Sequence, residues 1–307
     1  MCAITGFLDK TGHDGAEVGK LLLRMLLAVG CRGPDSTGMA VYGPHQEGVV
    51  LQVKLGDSGD FAALAEVVTE IVGRLTPVRE VRFTFPYLRV VVDSLPDTLV
   101  FAIEAVASDV EVVSAGRRLE IVKQVGSPAA LEDAYGVSRL TGTHGIGHTR
   151  LSTESRIDLS HSQPFWAHGC PDVATAHNGH ITNYHKMRRL YEQRGIRFYT
   201  ENDSEIIGIY LNDRMGQGAT FEEALQASLV DFDGAFSYVA ATENALAYVK
   251  DPFGLKPLVV AETDEWVAIA TEEIALRQAF GGEFDAWEPG TRRSHVWRLP
   301  QRIRVNA

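Results

Sequence analysis

Four apolar segments near the C-terminal end constrain the fold more than any other feature of the chain. "AFSYVAAT" (235–242), "ALAYVKD" (245–251), "PLVVAET" (257–263) and "WVAIAT" (266–271) follow one another with no helical stretch between them. Parallel neighbours need a crossover of a dozen residues or more, usually a helix, so strands spaced this closely pair antiparallel. Helices fall elsewhere: Val18, Leu21, Leu22, Met25, Leu26 and Val29 share one helical face, and a second amphipathic helix is expected near 61–75. The pattern is that of an α+β protein with antiparallel sheets, not of an alternating parallel fold.

The 307 residues allow one large domain or two ordinary ones. Residues 2–8 read as a strand, and "CRGPDSTGMAVYG" (31–43) as a turn-rich loop entering another. Between 44 and 142 come strand-like runs and, in "SAGRRLEIV", a hairpin turn, but no cluster with chemical meaning, so this stretch reads as an inserted α+β segment. A formal charge of −11 argues against nucleic acid as partner. No run is long enough to span a membrane, and the N-terminus lacks the order of a secretion signal, so the residues after Met1 are expected to be those of the mature protein. Three cysteines, Cys2, Cys31 and Cys170, make no disulfide framework, which points to a reducing cytoplasm. Cys31 and Cys170 are read as small buried hydrophobes.

Cys2 differs by position. A thiol attacks as thiolate and needs a base, and removal of Met1 would give Cys2 a free α-amine, with an ordinary pKa of about 8, beside its own sulfur. A thioester route also needs donors aimed at the developing oxyanion. In "AHNG" the Asn178 amide and the Gly179 N–H could supply them, although Asn-Gly is also the preferred pair for a two-residue hairpin, which local sequence favours. A free amino acid would need its carboxylate and ammonium held apart. Arg150, ending the strand in "GIGHTRLST", could grip the first bidentately. Asp203 could hold the second, placed in a first helical turn by an Asn202–Glu205 capping box. Read singly, Arg150 is better explained by a surface ion pair and Asp203 by stabilisation of its helix. Seven histidines between 144 and 185 raise a metal site as a rival, yet no ligand spacing accompanies them, and metal is expected to be absent.

Together, "MCAITG", "RGPDSTG" (32–38), "GHTRLST" (147–153), "AHNG" (176–179), "NDSE" (202–205), "DGAFSYV" (233–239), "KDPFGLKPL" (250–258) and "ATEEIAL" (270–276) resemble, in order, the class II or N-terminal nucleophile (Ntn) glutamine amidotransferases. The resemblance implies a four-layer αββα Ntn-hydrolase sandwich of two antiparallel sheets. It divides the chain into a discontinuous amidotransferase domain (2–43 and 143–290), an insert (44–142) and a C-terminal tail (291–307). It implies a glutaminase that converts L-glutamine to glutamate and ammonia through a Cys2 thioester. Carried over by motif, Cys2 is the nucleophile, Asn178 and Gly179 the oxyanion hole, Arg150, Thr153 and Asp203 the glutamine-binding residues, and Arg32 a support for the loops around the nucleophile. One departure stands beside Cys2: the family usually has glycine there, and this chain has Ala3.

Little chain follows residue 290, so the ammonia acceptor is expected on a separate synthase subunit, in a hetero-oligomer. "HSQPFWAHG" (161–169) and "VVSAGRRLEIVKQVG" (112–126) resemble stand-alone subunits of glutamate synthase-like enzymes, N-methylglutamate synthase among them. Such a partner carries FMN and iron–sulfur clusters; none is expected in this chain, which has no cysteine array. The alternatives are an Ntn amide hydrolase of other specificity and a non-catalytic regulatory subunit.

Overall fold

The computed structural model describes residues 2–152 and 156–300. Two antiparallel sheets form its centre. The larger has seven strands, in the order Ala286–Trp287, Val259–Glu262, Trp266–Ala270, Ala3–Asp9, His144–Arg150, Ser36–Tyr42 and Leu119–Val125. The smaller has five: Arg293–Arg298, Ala245–Lys250, Gly234–Thr242, Ala174–Ile181 and Phe165–Trp166. The four consecutive strands that constrain the fold therefore divide between the sheets, two to each. The stretch expected as a tail contributes Arg293–Arg298, an edge strand of the smaller sheet.

Alternation along Ala3–Asp9 builds the layers. Ile4 and Leu8 enter the core between the sheets with Ala174, Ala176, Val239 and Leu246, while Ala3 and Phe7 face outward, toward the helices. Helices Val18–Val29 and Glu273–Ala279 cover the outside of the seven-stranded sheet, as the apolar face of the first predicts. Tyr184–Gln193, Glu205–Gly216 and Phe221–Asp231 cover the five-stranded one. The result is the four-layer αββα sandwich.

The segment after residue 44 adds a four-stranded sheet, in the order Val78–Thr84, Tyr87–Val92, Val49–Lys54 and Glu111–Gly116, with the helix Phe61–Leu75 as expected. The Arg117–Arg118 turn sends the chain from that sheet into Leu119–Val125, which pairs with Ser36–Tyr42 at the margin of the large sheet. Asp172 clamps the turn by accepting from the N–H groups of Arg117, Arg118 and Leu119. Cys31 is exposed, correcting the buried reading: it lies on the one-turn helix Gly30–Arg32, outside every sheet, and Cys170 is half-buried.

Candidate active site

Cys2 immediately precedes the central strand Ala3–Asp9, whose pairing with His144–Arg150 sets Ala3 opposite Thr149. The same register brings Cys2 to the end of the neighbouring strand, where its Sγ lies 3.4 Å from the Leu151 N–H and 3.6 Å from the Leu151 carbonyl. Ala3 is fully buried against Met25, Val29, Ala268, Ala270 and Leu276, so its methyl packs into the helix layer and does not line the cavity beside Cys2. Arg32 donates through Nε to the Cys2 carbonyl at 3.2 Å and pairs with Glu272. Gly33 has no room for a Cβ, which would stand 2.4 Å from the Thr149 carbonyl carbon. That close crossing lets Asp35 accept the Ser152 N–H at 2.7 Å and hold the turn beyond Arg150.

Asn178 and Gly179 make no hairpin. They lie inside the strand Ala174–Ile181, opposite Ser237 and Phe236. Gly179 keeps a left-handed φ of 122° within the ladder, and a Cβ there would fall 2.1 Å from the Ala235 carbonyl oxygen. The glycine thus serves a backbone distortion beside the cavity and not a chain reversal. Asn178 Nδ2 donates to Thr271 Oγ1 at 3.1 Å and approaches the Cys2 carbonyl at 3.5 Å.

The capping box is not formed either. The helix begins at Glu205, whose carboxylate turns back to accept the N–H groups of Tyr199 and Thr200. Asn202 Oδ1 instead accepts from Ser204, and Asp203 sits ahead of the helix, its Oδ2 accepting the Ile181 N–H at 2.8 Å. The strand carrying Asn178 therefore holds Asp203, where helix capping was expected to place it. Backbone pairing on one side and polar contacts on the other leave Asp203 Oδ1 3.8 Å from His177 Nδ1.

These elements enclose a cavity of about 540 Å³, lined among others by Cys2, Arg150, Gly179, Asn202 and Asp203. Cys2, Arg150, Gly179 and Asp203 are thus brought together, Asn178 stands behind Cys2, and Arg32 supports the Cys2 backbone; Thr153 lies outside the described residues. Burial lowers the affinity of the Arg150 guanidinium for its proton, while Cys2, Asp158, Asp35 and Asp203 act in the opposite sense. Arg150 also donates to the Arg156 carbonyl at 2.9 Å and lies 3.4 Å from Ser152 Oγ.

Residues not singled out from the sequence complete the frame. Gln163 accepts the His177 N–H at 2.7 Å and donates to the His177 carbonyl and to Ser204 Oγ, so one side chain joins the Asn178 strand to the Asp203 segment. His161 bridges Asp158 at 2.7 Å and Glu201 at 3.1 Å; the Asp158 hydrogen bond raises its pKa, and the same bond leads in holding Asp158 down to about 2 against its desolvation. The clustered histidines disperse: His144, His148, His161 and His177 each make their own hydrogen bonds, and His168 stacks on Tyr199. Among the described residues no three His, Cys, Asp or Glu side chains are placed to hold a metal ion, and no helix is long and apolar enough to cross a membrane.

An αββα sandwich with a cysteine preceding a central strand defines an Ntn-hydrolase type of architecture. The comparisons agree. A family profile described as a glutamine amidotransferase domain matches residues 148–278. A Methanothermobacter thermautotrophicus protein assigned as a glutamine amidotransferase is 36% identical over 94% of this chain and 98% of its own. The glutamine amidotransferase-like protein GlxB of Rhizobium meliloti is 34% identical over 97% and 98%. In fold, the glutamine phosphoribosylpyrophosphate amidotransferase of B. subtilis superposes with a TM-score of 0.61 at 17% identity, over 97% of this chain and 49% of its own. This chain thus spans about half the length of that solved structure. It belongs to the glutamine amidotransferases, in their class II, N-terminal nucleophile branch, and is an amidotransferase acting on glutamine.

Proposed function

We propose that Cys2, exposed as the N-terminal residue by loss of Met1, is the nucleophile that splits the side-chain amide of glutamine, and that the ammonia passes to a synthase on another chain. Arg150 holds the α-carboxylate and Asp203 the ammonium, which directs the amide toward the sulfur. The α-amine of Cys2 takes the thiol proton as sulfur bonds to the amide carbon, and returns it to nitrogen as the C–N bond breaks. Asn178 Nδ2 and the Gly179 N–H stabilise the oxyanion, Arg32 steadies the Cys2 carbonyl, and Thr153 adds to the substrate contacts. Water then cleaves the thioester, so glutamine and water give glutamate and ammonia.

The observation that carries this reading is the single cavity shared by Cys2, Arg150, Gly179 and Asp203, four residues from separate motifs. A separate acceptor is favoured because the two relatives aligned across nearly this whole chain are themselves matched over 98% of their length, which leaves no room in them for a synthase region. The proposed acceptor is a glutamate synthase-like subunit, for glutamate or N-methylglutamate, bearing FMN and iron–sulfur clusters. Processed protein should release glutamate and ammonia from glutamine, with Cys2→Ala at background. Undiminished turnover by Cys2→Ala would refute the nucleophile. Copurification of a flavin- and iron–sulfur-containing partner that stimulates turnover is expected, and its absence with no stimulation by any such synthase would refute the transfer.

A further inference from the structure

The neutral imidazole of His148 occupies the core directly behind Asn178 and has no part in the chemistry so far described. His148 is completely buried on the central strand His144–Arg150, opposite Ile4 and Gly38. Its Nε2 lies 3.1 Å from the His177 carbonyl and 3.2 Å from Asn178 Oδ1. Both neighbours are acceptors, so Nε2 carries the proton and donates. Nδ1 is buried and has no hydrogen-bond partner among the described residues. A second proton would be a buried charge with nothing to receive it, and desolvation accordingly brings the imidazole pKa down to about 3.

From this geometry we infer that His148 is a positioning residue that fixes the orientation of the Asn178 carboxamide, keeping its NH₂ group and not its oxygen toward Cys2. The inference rests on the reading of Asn178 as an oxyanion donor. A carboxamide can present either end to its surroundings, and the wrong end would set an oxygen lone pair against the developing negative charge. His148 admits only an acceptor on its side. Thr271 makes the matching selection opposite: its Oγ1 accepts the Ile4 N–H at 2.8 Å and is within 3.5 Å of the Ile4 carbonyl as donor, leaving a lone pair for Asn178 Nδ2 at 3.1 Å. Each neighbour demands the same amide orientation. The effect is confined to the step in which the oxyanion forms, since neither His148 nor Asn178 touches the carboxylate and ammonium clamp.

The test uses the processed full-length protein. His148→Leu should lower kcat for glutamine hydrolysis about 10–100-fold with KM changed less than threefold, less than the loss of about 10²–10³ for deleting an oxyanion donor outright. His148→Gln, whose amide N–H reaches a similar point, should recover most of the rate, and it carries the test if the leucine variant does not fold. Alkylation of Cys2 by iodoacetamide, which forms no oxyanion, should proceed at the wild-type rate in both. In an Asn178→Ala background, His148→Leu should cost little more. Wild-type kcat in His148→Leu, full additivity with Asn178→Ala, a parallel fall in alkylation, or no recovery by folded His148→Gln would overturn the inference. Loss of the parent reading would show separately, as wild-type turnover unaffected by Asn178→Ala.

Discussion

The two ends of the cavity are built differently. At the cysteine end, Cys2, Asn178 and Gly179 sit on or beside central strands, their places set by backbone register, with a neutral imidazole and a threonine hydroxyl behind them. At the other end, Arg150, Asp203 and Glu201 lie at strand ends and in connecting segments, with His161 paired to Glu201, and their surroundings are charged. The strand-built end should tolerate almost no displacement, because a shift there breaks ladder hydrogen bonds. The loop-built end can adjust, so changes in it should alter affinity more than chemistry.

The largest expected effect therefore belongs to Gly179→Ala. The methyl would meet the Ala235 carbonyl oxygen at 2.1 Å, in a backbone conformation that alanine resists. Strain and overpacking together should cost about 3–5 kcal/mol of stability. Denaturant unfolding would measure it, and a wild-type midpoint would remove the rigid half of the contrast. Next comes Asp203→Asn, which can still accept the Ile181 N–H but loses the charge for the ammonium. Its KM for glutamine should rise about 10–100-fold, the worth of a hydrogen bond to a charged group, with kcat changed only a few-fold. A fall in kcat with unchanged KM would erase the division between the two ends.

The smallest effect concerns the His161 bridge. Its folded-state pKa is raised by Asp158, so it contributes stability fully present below the unfolded value of about 6.5 and lost as pH rises through the folded value. The Tm advantage of wild type over His161→Gln should accordingly be greatest below pH 6.5 and shrink on the alkaline side. Asp158, held at about 2, contributes stability present above its ordinary pKa and lost as pH falls toward 2, so the advantage should decline again in strong acid. An advantage that grows between pH 6.5 and 9 would contradict the ion-pair account.

Local pattern made much of the scaffold legible. The helix over 61–75, the apolar face of 18–29 and the antiparallel character all follow from spacing, as does the turn at Arg117–Arg118, although the strands it joins enter different sheets and form no hairpin. What failed were inferences from short-range chemistry at the site itself. Asn178-Gly179 has the composition of a turn, but pairing with Gly234–Thr242 along eight positions holds it extended. Asn202 and Glu205 have capping-box spacing, yet Glu205 is drawn to the N–H groups of Tyr199 and Thr200. His148, Gln163 and Thr271 lay inside motifs already quoted, but their partners are 14 to 267 residues away in the chain.

By itself the sequence determined the alternation that stacks two sheets between helices, because side-chain period is a local property of the chain. It also supplied the residue types for amide chemistry and, through an ordered set of motifs, the glutamine amidotransferase family. Tertiary structure alone decided which strands share a sheet, that a glycine of turn-like composition lies within a ladder, and that His148 stands behind Asn178. Those outcomes depend on hydrogen bonds and packing between distant segments, whose register no local window contains.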